Sequence, residues 1–290
     1  MLRTLQAHRE HWPLAAPFRI SRGVKTAADV VAVEIGHEGQ IGHGEAVPYA
    51  RYGETLDSVL AQIETVAMAV RGGMTRIELV RALPPRTPLE SPTSKGQPSE
   101  PITIRRVIAK LNQSLDANMV VIADPGDALF ASSELVIHRQ TEFLSPAYYT
   151  SMGFAVPASL GAAVARPKLR PIVLVGDGAF QMTGMELSTV VRLKLNPIVR
   201  VLDNKGYGTE RMLQAEPHAY NDVQPWNYHK LPEVFGGGRG FEIRTEGEFD
   251  AALDAAIGDK SQMSLLQVHL DPNDRSTTLE RITEKLGARV

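Results

Sequence analysis

Two kinds of apolar run organise this chain. Met119 to Ala123, Ile172 to Val175, Pro197 to Leu202 and Leu265 to Leu270 are short, continuous and rich in branched aliphatic side chains. That is the pattern of strands buried on both faces. Beside them, apolar residues recur at helical spacing over Thr103 to Leu115, Met182 to Leu195, Phe249 to Ile257 and Leu279 to Leu286, and a small-residue helix is expected within Ser145 to Val164. Gly236-Gly237-Gly238 predicts a flexible turn ahead of a further strand. Strands alternating with helices predict an α/β fold, an open and mostly parallel sheet with helices on both faces.

The first 83 residues follow another rhythm. Leu2 to Trp12 predicts a strand, and Val30 to Ile35 and Ile41 to Ala46 two more, joined by a hairpin turn at His37-Glu38-Gly39-Gln40. Ala15 to Thr26 carries the proline, serine and glycine of a loop. Leu56 to Val70 has the apolar stripe of an amphipathic helix, and Ile77 to Leu83 predicts a second, shorter one. Residues 1–83 are therefore expected to form a small α+β unit. Residues 84–100, rich in proline and serine, are expected to be a linker, and 101–290 the α/β domain.

Composition narrows the chemistry. The 290 residues are 43% hydrophobic and 22% charged, with a formal net charge of -2, which gives no reason to expect nucleic acid or a membrane surface as partner. There are no cysteines, so disulfides and thiolate catalysis are excluded. The absence of a transmembrane-length apolar run and the polar start of the chain make a cytoplasmic location the expectation. Four of the eight histidines fall at His8, His11, His37 and His43, but no third ligand at useful spacing accompanies them.

The polar punctuation after two buried strands carries the functional signal. Gly176-Asp177-Gly178-Ala179 follows the first, and Asp203-Asn204-Lys205-Gly206-Tyr207-Gly208 the second. A right-handed crossover sends both turns to one edge of the sheet, where open α/β folds bind ligands. Asp177 offers a carboxylate, Asn204 an amide oxygen and Gly206 an unobstructed carbonyl, a set of hard oxygens suited to magnesium carrying a diphosphate. The amides of Gly178 and Ala179, ahead of a helix, are expected to face an anion.

GDG, a helix and a strand, then Asn-x-Gly, resembles the thiamine-diphosphate and magnesium motif of thiamine-dependent enzymes. The wording GDGAFQMTGMELSTVVR…VLDNKGYGTER is most similar to the pyruvate and indolepyruvate decarboxylase group of 2-oxo acid decarboxylases. That resemblance implies thiamine diphosphate and Mg2+ as cofactors and a small-molecule 2-oxo acid as substrate. Asp177, Asn204 and Gly206 become metal ligands; Gly176, Gly178, Ala179, Tyr207 and Gly208 border the cofactor. It also makes Thr150 the carbonyl acceptor for the cofactor's amine, Met152 the apolar wedge that bends the cofactor, and Glu210 the proton-transfer group. The family has Asn-Asn where this chain has Asp203-Asn204, so Asp203 brings an extra charge.

A second resemblance covers the first 80 or so residues. HWPLAAPFRISRGVKTAADVVAVEI and GHGEAVPYARYGET resemble the amino-terminal capping domain of dipeptide epimerases in the enolase superfamily, with Arg22 and Tyr52 as polar loop candidates. No catalytic barrel is recognisable after it, so the chain looks like a chimera or fusion. The pyrimidine-binding domain and activating glutamate of the decarboxylases are likewise unrecognisable. A homo-oligomer, or a partner supplying that domain, is implied. Three readings follow: an incomplete decarboxylase, a non-catalytic cofactor-binding or oligomerisation module, or a dipeptide epimerase relative without its barrel.

Overall fold

The structure, a computed structural model, describes residues 3–20, 23–48, 54–75, 78–79, 96–137, 142–146, 149–214 and 216–287. Arg22, Tyr52, residues 84–95 of the expected linker and all but two residues of the expected helix over 77–83 lie outside them. The chain divides into two compact units, Met1–Pro88 and Leu89–Val290.

In the first unit, β1 (Thr4–Ile20), β2 (Gly23–His37) and β3 (Gln40–Ala46) form an antiparallel sheet in that order. Glu38 and Gly39 both have positive φ, the conformation a two-residue hairpin turn demands. The loop expected over Ala15 to Thr26 is instead strand as far as Ile20 and again from Gly23, with Phe18 opposite Lys25 and Ile20 opposite Gly23. A register shift between Pro13 and Phe18 absorbs the prolines, which cannot donate to a regular ladder. Helix α1 (Leu56–Arg71) starts at a Thr55–Ser58 capping box and buries Ala67 and Val70 in a small core with Leu5.

The second unit is a six-stranded parallel sheet. Its strands are β4 (Met119–Ala123), β5 (Glu142–Leu144), β6 (Arg170–Gly176), β7 (Ile198–Asp203), β8 (Arg239–Ile243) and β9 (Ser264–His269), in the spatial order β5-β4-β6-β7-β9-β8. Alternate residues of the central strands feed two cores. Helices α2 (Ile104–Ser114) and α3 (Asp127–Ser132), with a later helix at Glu246–Gly258, cover one face. Helices α4 (Ala155–Ala165), α5 (Asp177–Thr183) and α6 (Leu187–Arg192) cover the other.

The helix expected from Met182 to Leu195 differs in two ways. It begins five residues earlier, at Asp177 itself, and a 3-10 turn at Gly184–Glu186 divides it. The Phe180 ring lies where a side chain on residue 184 would sit, so the ring fills the bend from beneath. Three short helices complete the unit, α7 (Gly208–Leu213), α8 (Leu231–Val234) and, after α9 (Glu246–Gly258), α10 (Thr277–Gly287).

Candidate functional site

The strand order dictates where the two units of polar punctuation meet. The chain leaves β4 into α3 on one face of the sheet and leaves β6 into α5 on the other. The loops part above adjacent strands, opening a crevice at their carboxyl ends, which is the ligand-binding position of open α/β sheets. A cleft of about 300 Å3 lies there. The residues that the thiamine resemblance assigned to metal, cofactor and proton transfer all line it: Thr150, Met152, Gly176, Asp177, Gly178, Ala179, Asn204, Gly206, Tyr207, Gly208 and Glu210.

Asp177 is the pivot. Its side chain is buried, with Oδ1 accepting from the Gly178 amide at 2.7 Å and Oδ2 from the Gly206 amide at 2.9 Å. The carboxylate thus ties the turn after β6 to the turn after β7. It also means that the Gly178 amide, expected to face an anion, donates to its neighbour here. Burial pushes the Asp177 carboxyl up to about 7; the Gly178 hydrogen bond opposes this and the nearby Asp203 charge adds to it.

Glycines shape the walls. A side chain at Gly178 would strike the Tyr207 ring at 2.5 Å, and one at Gly208 the Asn204 amide nitrogen at 2.5 Å. Thr150 has φ 58, and its amide donates to the Pro146 carbonyl at 2.8 Å. Met152 keeps 43% of its surface exposed at the rim, and Glu210 is exposed on α7.

Asp203, the departure from the decarboxylase wording, points elsewhere. Oδ2 accepts from Gln267 Nε2 at 2.7 Å and lies 3.0 Å from His269 Nδ1, whose Nε2 lies 3.1 Å from Glu242. The extra carboxylate is held by this network behind the turn and does not line the cleft.

Several contributors escaped the sequence reading. Asp124, fully buried at the end of β4, accepts from the amides of Gly153 and Ala155 at 2.9 and 2.7 Å, and so anchors the segment after Thr150 and Met152. Burial raises its pKa against those hydrogen bonds. Asp127 and Asp274 line the cleft, and burial pushes the Asp127 carboxyl up to about 6 although Ser276 donates to it. Thr209 Oγ1 is buried at the cleft without a hydrogen-bond partner. A carboxylate ending a buried strand was the available signal for Asp124; nothing local marks Thr209.

The donors fit a cation carrying an anionic group. Asp127, Asp177, Glu210 and Asp274 line the cleft, and no lysine or arginine stands among the described lining residues. A diphosphate entering such walls needs a positive charge between itself and the carboxylates, and hard oxygen donors select magnesium-like ions for it. The orphaned Thr209 hydroxyl and the bare glycine walls suit close approach of phosphate oxygens.

A crevice of this kind, at the carboxyl edge of a parallel α/β sheet, defines a nucleotide- or cofactor-binding class of domain. Residues 124–268 match the thiamine pyrophosphate enzyme C-terminal TPP binding domain, and the chain belongs to that family. Among curated relatives, an alpha-keto-acid decarboxylase of Mycolicibacterium paratuberculosis is 33% identical over 229 residues, 78% of this chain and 39% of that protein. An alpha-keto-acid decarboxylase of Mycobacterium tuberculosis is 35% identical over 173 residues, 59% of this chain and 31% of that protein. An indole-3-pyruvate decarboxylase of Azospirillum brasilense is 33% identical over 216 residues, 71% of this chain and 39% of that protein. The chain thus spans about two fifths or less of the length of these relatives. The stretch matched to the first exceeds the segment from Pro101 to the end, so that likeness reaches back before Pro101. No helix among the described residues is long and apolar enough to cross a membrane.

Proposed function

We propose that this chain binds thiamine diphosphate through Mg2+ and supplies the diphosphate-holding half of a 2-oxo acid decarboxylase site. The observation that carries it is a family-matched cleft walled by carboxylates and glycines, with no lysine or arginine among its described lining residues. Asp177, Asn204 and the Gly206 carbonyl hold the metal. Gly176, Gly178, Ala179, Tyr207 and Gly208 border the cofactor, with the Thr150 carbonyl and the Met152 side chain at its ring end. When bound, the cofactor supplies the electron sink that decarboxylation of a 2-oxo acid requires. Glu210, exposed on α7 at the cleft, moves a proton at the reacting substrate.

The aminopyrimidine side of the site and its activating carboxylate come, on this reading, from a partner chain, in the cytoplasm. Purified alone and saturated with cofactor, the chain is expected to release carbon dioxide from pyruvate, indolepyruvate or phenylpyruvate far below about 1 per second, a typical enzyme rate. Adding a polypeptide that carries a pyrimidine-binding domain should restore turnover, and Glu210→Gln should remove it again. Full turnover by the chain alone, lost in Glu210→Gln, would refute the incomplete site.

Residues 1–83 form the capping-type domain, 84–100 the linker and 101–290 the cofactor domain in this proposal. The three-stranded sheet with helix α1 is compatible with an enolase-superfamily cap, and the residue wording remains its main support. The end of the linker is not free, because Gln97 donates to Glu246 and the amides of Glu246 and Gly247 donate to Glu100 and Pro98. Limited proteolysis should therefore cut first within 84–95, ahead of those anchored residues. Initial cuts inside Ile172 to Leu202 would refute the boundary. A non-catalytic cofactor-binding module is the second reading, favoured by the open, exposed position of Glu210.

A further inference from the structure

We infer that Arg211 is a positioning residue for the metal-holding turn, fixing which carbonyl Asn204-Lys205-Gly206 presents to the cleft. This rests on the cofactor reading above. Arg211 follows Glu210 on α7, and neighbouring residues of a helix point about 100° apart. Glu210 lines the cleft, while the Arg211 guanidinium lies against the back of the turn. Nη1 donates to the Asn204 carbonyl at 3.1 Å, and Nη2 donates to the Lys205 carbonyl at 2.6 Å and to Asp222 Oδ1 at 2.8 Å.

The turn needs such a hold. Lys205 has φ 62, a left-handed conformation that a residue with a side chain adopts only when its surroundings enforce it, and Gly206 has φ 153. From the front, the Gly206 amide is fixed by Asp177. From behind, the Lys205 carbonyl accepts from both Arg211 and the Val223 amide, and the Asn204 carbonyl from Arg211. Two of the three carbonyls are thereby turned to the guanidinium. Among the described residues the Gly206 carbonyl accepts only from the Gly208 amide, at 3.0 Å, and keeps a lone pair for a ligand.

The same guanidinium closes a larger loop. Asp222 belongs to the segment whose Asn221 carbonyl accepts from the Tyr207 amide at 2.8 Å. Asn221 in turn donates to Gln214, the residue that follows α7. Arg211 is therefore the side chain common to the turn, the helix carrying Glu210 and the 219–223 segment. A planar fork reaches successive carbonyls at once; a lysine ammonium, as a point charge on a flexible stem, cannot hold both in that geometry. The exposed Asp222 carboxylate orients the fork and contributes little on its own account.

The test uses the full chain and two readouts, amide hydrogen exchange without cofactor and Mg2+ titration of thiamine diphosphate binding by calorimetry. Arg211→Lys should raise the Mg2+ concentration for half-saturation at least tenfold. Exchange at Tyr207 and Val223 should quicken at least tenfold while β6 and β7 stay protected. Asp222→Asn should change either readout less than threefold. Unchanged exchange and half-saturation in Arg211→Lys would overturn the inference, as would loss of protection spread through β6 and β7. A wild-type chain that binds no thiamine diphosphate at any Mg2+ concentration would overturn the cofactor reading, and the exchange readout would then decide the hold on the turn by itself. In that event faster exchange at Tyr207 and Val223 in Arg211→Lys would show the cofactor reading alone to be at fault in its chemistry, the mechanical hold being present.

Discussion

Asp177→Ala should lower the affinity of the chain for thiamine diphosphate at least a hundredfold in the presence of magnesium, and a chelator should do the same to the wild type. Two losses combine in the variant. The cleft loses the carboxylate that neutralises the cation, and the turn after β7 loses the acceptor at 2.9 Å that fixes the Gly206 amide. The chelator removes only the charge bridge, leaving Asp127, Glu210 and Asp274 facing the diphosphate without compensation. Calorimetric titration of the cofactor with Mg2+, and with excess chelator, measures both. Equal wild-type affinity in the two conditions would dispose of the metal bridge, and with it the reading of the acidic walls.

The same carboxyl sets a pH dependence. Burial holds Asp177 up to about 7, so below that pH the metal must displace a proton from the free chain. Affinity should fall by about tenfold per pH unit below roughly 7 and level off above it, the slope of a single-proton linkage. A flat profile from pH 5.5 to 8 would remove Asp177 from the ligand set.

The site was legible where one chemical type had to stand at one place. A carboxylate and two glycines after a buried strand, and Asn-x-Gly after the next, survive as a pattern because both turns are short and both strands run continuously apolar. The sheet was legible for the same reason, since strands buried on both faces permit few other residues. The three-residue strand β5 is too short to leave a periodic trace. The break at Gly184 depends on the Phe180 ring, a contact that helical spacing cannot express. Ala15 to Thr26 misled because proline and glycine were read as loop, whereas a long hairpin with one irregularity accommodates them. Asp124 and Arg211 act on backbone groups that folding brings to them, some 30 residues away for Asp124, and only the place of Asp124 at the end of a buried strand hints at it.

One charged residue was visible in the sequence and contradicts its strand. Arg200 stands between Val199 and Val201 in the middle of β7, with Leu174 and Leu266 as its flanking register partners. It is completely buried on the face that packs against α2 and α9. Nε and Nη2 have no hydrogen-bond partner, and Nη1 reaches the Val173 carbonyl only at 3.5 Å. Burial, reinforced by the charge of Arg170, pulls its pKa down to about 9. The folded state therefore holds this proton less tightly than the unfolded chain, and stability rises with pH above about 9. At neutral pH the guanidinium is charged and its desolvation is uncompensated. Arg200→Met keeps an unbranched chain of similar reach without the charge. It should stabilise the folded chain by about 1–4 kcal/mol, raising the midpoint of thermal unfolding by roughly 2–15 °C at pH 7. The gap between variant and wild type should narrow at pH 10, because only the wild type gains from losing the proton; a gap caused by packing would not move. If Arg200→Met unfolds at a lower temperature than the wild type, the guanidinium has a partner worth more than its desolvation. The β7 core would then be built around that ion, not in spite of it.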